Sequence, residues 1–111
     1  MTQACRHPVL LHFFTRRETT LRVLERIRQA RPPRLFLSSD GPRQDRPGER
    51  ERVEEVRRLV LAGVDWPCDV RTRFLEENAG AVAAVAGAVT WFFEAVEAGI
   101  ILEDDCLPDP T

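Results

Sequence analysis

The chain reads as an α/β protein, an open and mostly parallel sheet of about four strands alternating with three helices. Three observations predict this. Short, nearly continuous apolar runs at Val9–Phe14, Leu35–Leu37 and Ile100–Leu102 have the length and character of strands buried on both faces. Between them lie segments with helical hydrophobic spacing, and strands alternating with helices imply right-handed crossovers and a parallel sheet. The borders are marked by chain-breaking residues: Pro8, Pro32-Pro33, Gly63 and Gly99. With 111 residues, 43% of them hydrophobic and 31% charged, the chain has the balance of one globular domain, 1–111.

Each element has its own signal. After the Val9–Phe14 strand, Thr15 and Glu18 show the S/T-x-x-E spacing of a capping box. Leu21, Leu24, Ile27 and Ala30 then recur on one helical face, with Arg22, Glu25, Arg26 and Gln29 outside it. Pro32-Pro33 ends that helix. Leu35–Leu37 is a second short strand, closed by the turn formers Ser38-Ser39-Asp40-Gly41-Pro42. Residues 42–48 read as a mobile surface connection. A second helix runs from Glu49 to about Ala62 with Val53, Val56 and Val60 inward, Glu54 paired with Arg58, and Gly63 as its C-terminal cap. Val70-Arg71-Thr72-Arg73-Phe74 alternates apolar and polar, as a strand near a sheet edge does. Asn78 suits the cap of a third helix whose apolar face is Val82, Val85, Val89, Phe92 and Val96, and Trp91-Phe92-Phe93 reads as core. Gly99 ends it, and the apolar Ile100-Ile101-Leu102 reads as a buried strand running into Glu103-Asp104-Asp105. Only Cys106 to Thr111 follow, which leaves that strand without a helix to cover it and predicts self-association through an uncovered sheet.

Composition removes several classes of function. No apolar run approaches the length of a membrane span, and residues 1–9 lack the pattern of a signal peptide, so a cytoplasmic chain is expected. Charge is uneven: residues 16–58 carry 13 Arg against 8 acids, and residues 59–111 carry 2 Arg against 10 acids. All sixteen basic residues are Arg, and no aromatic residue is interleaved with them, so a nucleic-acid partner is not expected. Cys5, Cys68 and Cys106 are odd in number and far apart, which fits neither a disulfide framework nor a CxxC metal site. Cys5, His7 and His12 lack a fourth ligand for zinc, and both histidines read as surface imidazoles.

Ligands of open parallel sheets bind beyond the carboxyl ends of the strands. Four segments sit there: Phe14-Thr15-Arg16, Ser39-Asp40-Gly41, Glu76-Glu77-Asn78 and Glu103-Asp104-Asp105. The last carries the strongest signal. Three consecutive carboxylates repel one another unless water, protons or a cation relieves them, and carboxylate oxygens suit Mg²⁺ or Mn²⁺. A solvated acidic turn explains them equally. Arg16 and Arg17 lie where a helix N-terminus favours phosphate. Asp40-Gly41 suits a nucleoside contact or a plain turn. No Ser-His-Asp or Cys-His arrangement and no Gly-rich phosphate loop is present, so no catalytic residue is assigned.

The run Trp91-Phe92-Phe93-Glu94, through Gly99-Ile100-Ile101-Leu102 into Glu103-Asp104-Asp105-Cys106-Leu107-Pro108, resembles bacterial nucleotide-diphospho-sugar transferases of the GT-A fold. Within them it is similar to the family-2-like group sometimes labelled hemolytic-protein-like. Phe14-Thr15-Arg16, Ser39-Asp40-Gly41-Pro42 and Glu77-Asn78 with Gly80 match in the same order, so the resemblance spans about residues 8–111. It implies the Rossmann-like N-terminal half of a GT-A domain, which binds a nucleoside-diphosphate sugar, with a UDP-sugar the first expectation. Glu103-Asp104-Asp105 would be the DxD-like motif, with Asp105 on Mn²⁺ or Mg²⁺, Asp104 nearer the ribose and Glu103 nearer the sugar. Thr15, Arg16 and Asp40 would line the nucleoside, and Asn78 would complete the nucleotide-binding set. Ala81 and Val82 stand where the family usually has a Cys and a basic residue. Family members continue past this motif into an acceptor site and catalytic base, so the resemblance implies a truncated donor-binding region that is inactive alone. The reading from another class is a non-catalytic structural or protein-interaction module.

Overall fold

Val9–Phe13 forms the central strand β1, and all five of its side chains are buried. Such a run folds only where sheet and helices enclose it on both faces. The computed structural model describes residues 6–105, and β1 is followed by α1 (Arg17–Ala30), β2 (Arg34–Ser39), α2 (Glu49–Gly63), β3 (Asp69–Phe74), α3 (Ala81–Ala95) and β4 (Ile100–Glu103). The four strands make one sheet in the order β3-β2-β1-β4, every pair parallel. The expected α/β class is therefore the observed one.

The chain winds outward from β1 through β2 to β3, then returns to the other side of β1 for β4. Right-handed crossovers that reverse direction must change faces. Accordingly α1 and α2 share one face, where Val23, Leu24, Ile27, Val56 and Val60 pack on Val9, Leu11, Phe13, Leu35 and Leu37. On the opposite face α3 sets Ala88 and Phe92 on Leu10 and Phe36, with Val96 completing the cluster. Trp66 closes the first core with its indole N–H donating to the Pro32 carbonyl at 2.9 Å.

Several local expectations change. The capping box does not form: α1 begins at Arg17 after an N-terminal residue, Arg16, that makes no side-chain cap bond. The buried α1 stripe is Thr20, Val23, Leu24 and Ile27, because Thr20 turns inward and its hydroxyl donates to the Arg16 carbonyl. In α2 the three valines are buried as expected, while Glu54 pairs with Arg50 (3.9 Å) rather than Arg58. Val64, one residue later than expected, caps that helix. Asn78 does not cap α3, whose N-terminal residue is Gly80. The face of α3 is also rotated: Ala84, Ala88 and Phe92 are buried, Val82 is 85% exposed and Phe93 is exposed. The run Ile100-Ile101-Leu102 is an edge strand whose two isoleucines are exposed, since α3 packs over β1 and β2. Cys68 is half-buried, and burial pushes its thiol up; Cys5 and Cys106 lie outside the described residues.

The β2–α2 connection is exposed over residues 43–48 but braced from within. Glu49, at the start of α2, is only 2% exposed, and its carboxylate accepts from the Arg43 backbone N–H (2.7 Å) and guanidinium (2.6 Å). Those bonds pull the Glu49 carboxyl from its ordinary 4.5 down to about 2. A depressed carboxyl contributes stability above its unfolded value and loses it as pH falls through the folded one. Thermal melts of wild type and Glu49→Gln should therefore stay separated above about pH 5 and converge between 4.5 and about 2.

Candidate functional site

In the order β3-β2-β1-β4 the winding direction reverses between β1 and β4, and that is where open sheets leave a crevice at the carboxyl ends of their strands. A crevice of about 250 Å³ lies there. Its walls are the β1 end and following loop (His12 to Arg16), the start of α3 (Ala81 and Val85) and the β4 end, Glu103 to Asp105. Thr15, Arg16, Glu103, Asp104 and Asp105 are thus brought together from opposite ends of the chain.

The electrostatics of the crevice are mixed. Arg16 reaches Asp105 at 3.7 Å, both side chains more than half exposed, which makes the pair exchangeable rather than structural. Asp104 is half-buried, and burial raises its carboxyl above the usual range against the opposing pull of Arg16, His12 and the Phe14 N–H. The first-turn N–H groups of α1 have no side-chain cap beside Arg16 and can take an anion. Among the described residues no group of three or more His, Cys, Asp and Glu converges as a ready-made metal cage. A cation of the Mg²⁺ type does not require one, since it commonly takes one or two carboxylates and completes its shell with water and substrate phosphates. Asp105, exposed at the crevice, fits that smaller role.

Asp40 and Asn78 lie elsewhere and are bonded to each other. Asp40 is 5% exposed. Its Oδ1 accepts from the Gly41 and Ala79 backbone N–H groups, both at 2.8 Å, and its Oδ2 from Asn78 Nδ2 at 3.1 Å. Asn78 Nδ2 also donates to the Gly41 carbonyl at 2.8 Å. The two loops approach so closely that a Cβ on Gly41 would stand 2.4 Å from the Glu77 carbonyl carbon. Arg57 of α2 locks the same corner, donating to Ser39 Oγ (3.1 Å) and to the carbonyls of Asp40 (3.0 Å) and Leu75 (2.8 Å) while stacking on Phe74. Asp40, with Arg57, braces the β2 and β3 ends.

His12 is the residue whose place differs most from expectation. It is buried, 8% exposed, not a surface imidazole. Its Nδ1 lies 3.1 Å from Ser38 Oγ, and burial lowers the imidazole pKa despite the nearby Glu103 and Asp104. In register across the four strands run Arg73, Ser38, His12 and Glu103, a polar row that crosses the otherwise apolar β1. The sequence held one signal for it: a histidine in the middle of a continuous apolar strand must find a partner. Ser38 and Arg57 had no such signal.

Fold and crevice define an open parallel α/β chain with a polar site at its switch point. No protein-family model matches the chain, and neither the curated proteins nor the solved structures gave a match. Among the described residues no helix is long and apolar enough to cross a membrane.

Proposed function

We propose that the β1–β4 crevice binds a nucleoside-diphosphate sugar with Mn²⁺ or Mg²⁺, as the donor-binding region of a GT-A-type glycosyltransferase. The observation that carries the reading is the meeting of Thr15 and Arg16 with Glu103, Asp104 and Asp105 at the switch point of the sheet. The resemblance of Trp91–Pro108, which contains these three acids, to nucleotide-sugar transferases supports it.

In this reading Arg16 and the uncapped N-terminus of α1 take the diphosphate charge. Asp105 would hold the cation, which would leave its present partner Arg16 to the phosphates, and Asp104 would lie nearer the ribose. The cation, when bound, supplies Lewis-acid stabilisation of the leaving nucleoside diphosphate. Thr15 borders the nucleoside, Glu103 the sugar, and Asp40 and Asn78 act through the loops they hold together.

A thermal-shift titration with UDP, with and without Mn²⁺, tests this. Ligand at about 100 times its Kd stabilises the native state by about 2.7 kcal/mol, an upward shift of about 10 °C or more for a domain of this size. The shift should require both components. Asp105→Ala, at an exposed side chain, should melt where the wild type does without ligand and lose the Mn²⁺-dependent shift. An unchanged shift in that variant overturns the metal assignment. A second reading, the interaction module, is favoured by apolar side chains left bare on α3 and on β4: Val82, Phe93, Ile100 and Ile101. A chain that melts cooperatively and ignores UDP with Mn²⁺ leaves that reading in place of the first.

A further inference from the structure

His12 places a nearly buried polar side chain on the floor of the crevice. Its Nδ1 is held by Ser38 Oγ, and Nε2 has no hydrogen-bond partner among the described residues. No buried side-chain nitrogen or oxygen among the described residues lacks a partner, so Nε2 must be reached from the open side of the ring, where His12 lines the crevice. An imidazole in the centre of an apolar strand costs desolvation that a leucine would not. That cost leaves one fixed hydrogen-bonding nitrogen facing the site.

Glu103 stands next to it. It is the β4 residue in register with His12, on a neighbouring strand roughly 4.8 Å away, and it lines the same crevice. The Glu103 carboxylate repels phosphate, and a ring nitrogen and a carboxylate side by side suit a neutral group offering two adjacent hydroxyls, one to each partner. The cationic Arg16 and the α1 N-terminus lie along another wall of the same crevice. Charge therefore sorts a ligand into an anionic part near Arg16 and a hydroxylated part over His12.

We propose that His12 and Glu103 form a diol-reading pair on the crevice floor, with Ser38 as the positioning residue that fixes the imidazole. The proposal rests on the crevice being the nucleotide-sugar site proposed above. Its diol comes from either the ribose or the transferred sugar.

Calorimetric titrations of the full chain with UDP, UDP-glucose and 2′,3′-dideoxy-UDP, all with Mn²⁺, separate these sources. His12→Leu should weaken binding by roughly 10- to 100-fold, the weight of one or two hydrogen bonds at a built site. A loss confined to UDP-glucose places the sugar over His12. An equal loss for UDP and UDP-glucose, absent for the dideoxy nucleotide, places the ribose there. Unchanged affinity for both diol ligands, or an equal loss for dideoxy-UDP, overturns the proposal. Glu103→Ala, at an exposed side chain, should reproduce the pattern and serves if His12→Leu fails to fold. Should the wild type bind none of the three nucleotides, the nucleotide-sugar reading falls. The pair is then tested with D-ribose and D-glucose at millimolar concentration, followed by the His12 ring nitrogen resonances. An Nε2 shift that Glu103→Ala abolishes upholds the pair, and an unmoved resonance overturns it.

Discussion

Asp40→Ala is expected to lower the melting temperature by about 15 °C, the effect of about 3 kcal/mol in a domain of this size. The carboxylate it removes accepts from the Gly41 N–H, the Ala79 N–H and the Asn78 amide, and the side chain is almost wholly buried. Alanine leaves those donors short of their acceptor and fills none of the space. Asp40→Asn should lose less, because Oδ1 survives while its new amide faces the Asn78 amide. Asn78 cannot turn away without giving up the Gly41 carbonyl. Melting followed by circular dichroism checks the order of the three proteins. An unaltered melt combined with lost UDP binding would make Asp40 a direct contact of the proposed nucleotide site.

Phe92→Ala should cost more, about 4 kcal/mol and about 20 °C, the range of a phenylalanine removed from a filled core. Phe92 has no exposed surface and meets Phe36 edge-on at 4.9 Å. It also presses against the strand entry, where a Cβ on Gly99 would lie 2.4 Å from its ring. The neighbouring Phe93 and the outward Val82 provide the contrast. Alanine at either should change stability by less than about 1 kcal/mol, since both are exposed. Equal losses at Phe92 and Phe93 would contradict the observed rotation of α3.

That rotation shows where sequence reading reaches its limit. In α2 the inward valines, Val53, Val56 and Val60, are separated by Arg and Glu, so the charges themselves outline the buried face. From Ala81 to Phe93, α3 contains no charge at all. Periodicity then cannot choose among faces, and the larger valines look more core-like than the small alanines. Packing decides otherwise: Ala84 and Ala88 lie inward with Phe92, where small side chains let the helix approach the sheet closely, and Val82 is left outside.

The acidic positions divide in the same way. Glu103-Asp104-Asp105 at a strand end could be assigned to the switch-point crevice from order along the chain, because every parallel sheet opens there. Asp40, also at a strand end, carries the same local signature, yet its oxygens are turned toward Ala79 and Asn78, remote in sequence. A carboxylate that braces a loop and one left open on a crevice differ only in what surrounds them. Glu49 and Arg43 likewise read as ordinary solvent charges in a linker until their bonds are seen.

Fold class, the order of elements and the inward face of α2 were legible in the chain, because alternation of apolar runs with breakers is a local property. The position of Ile100-Ile101-Leu102 at a sheet edge, the burial of His12 beside Ser38 and the separation of Asp40 from Asp105 belong to the tertiary structure. Each depends on which strand lies beside which, and neighbours in a parallel sheet are brought together by crossovers rather than by adjacency along the chain.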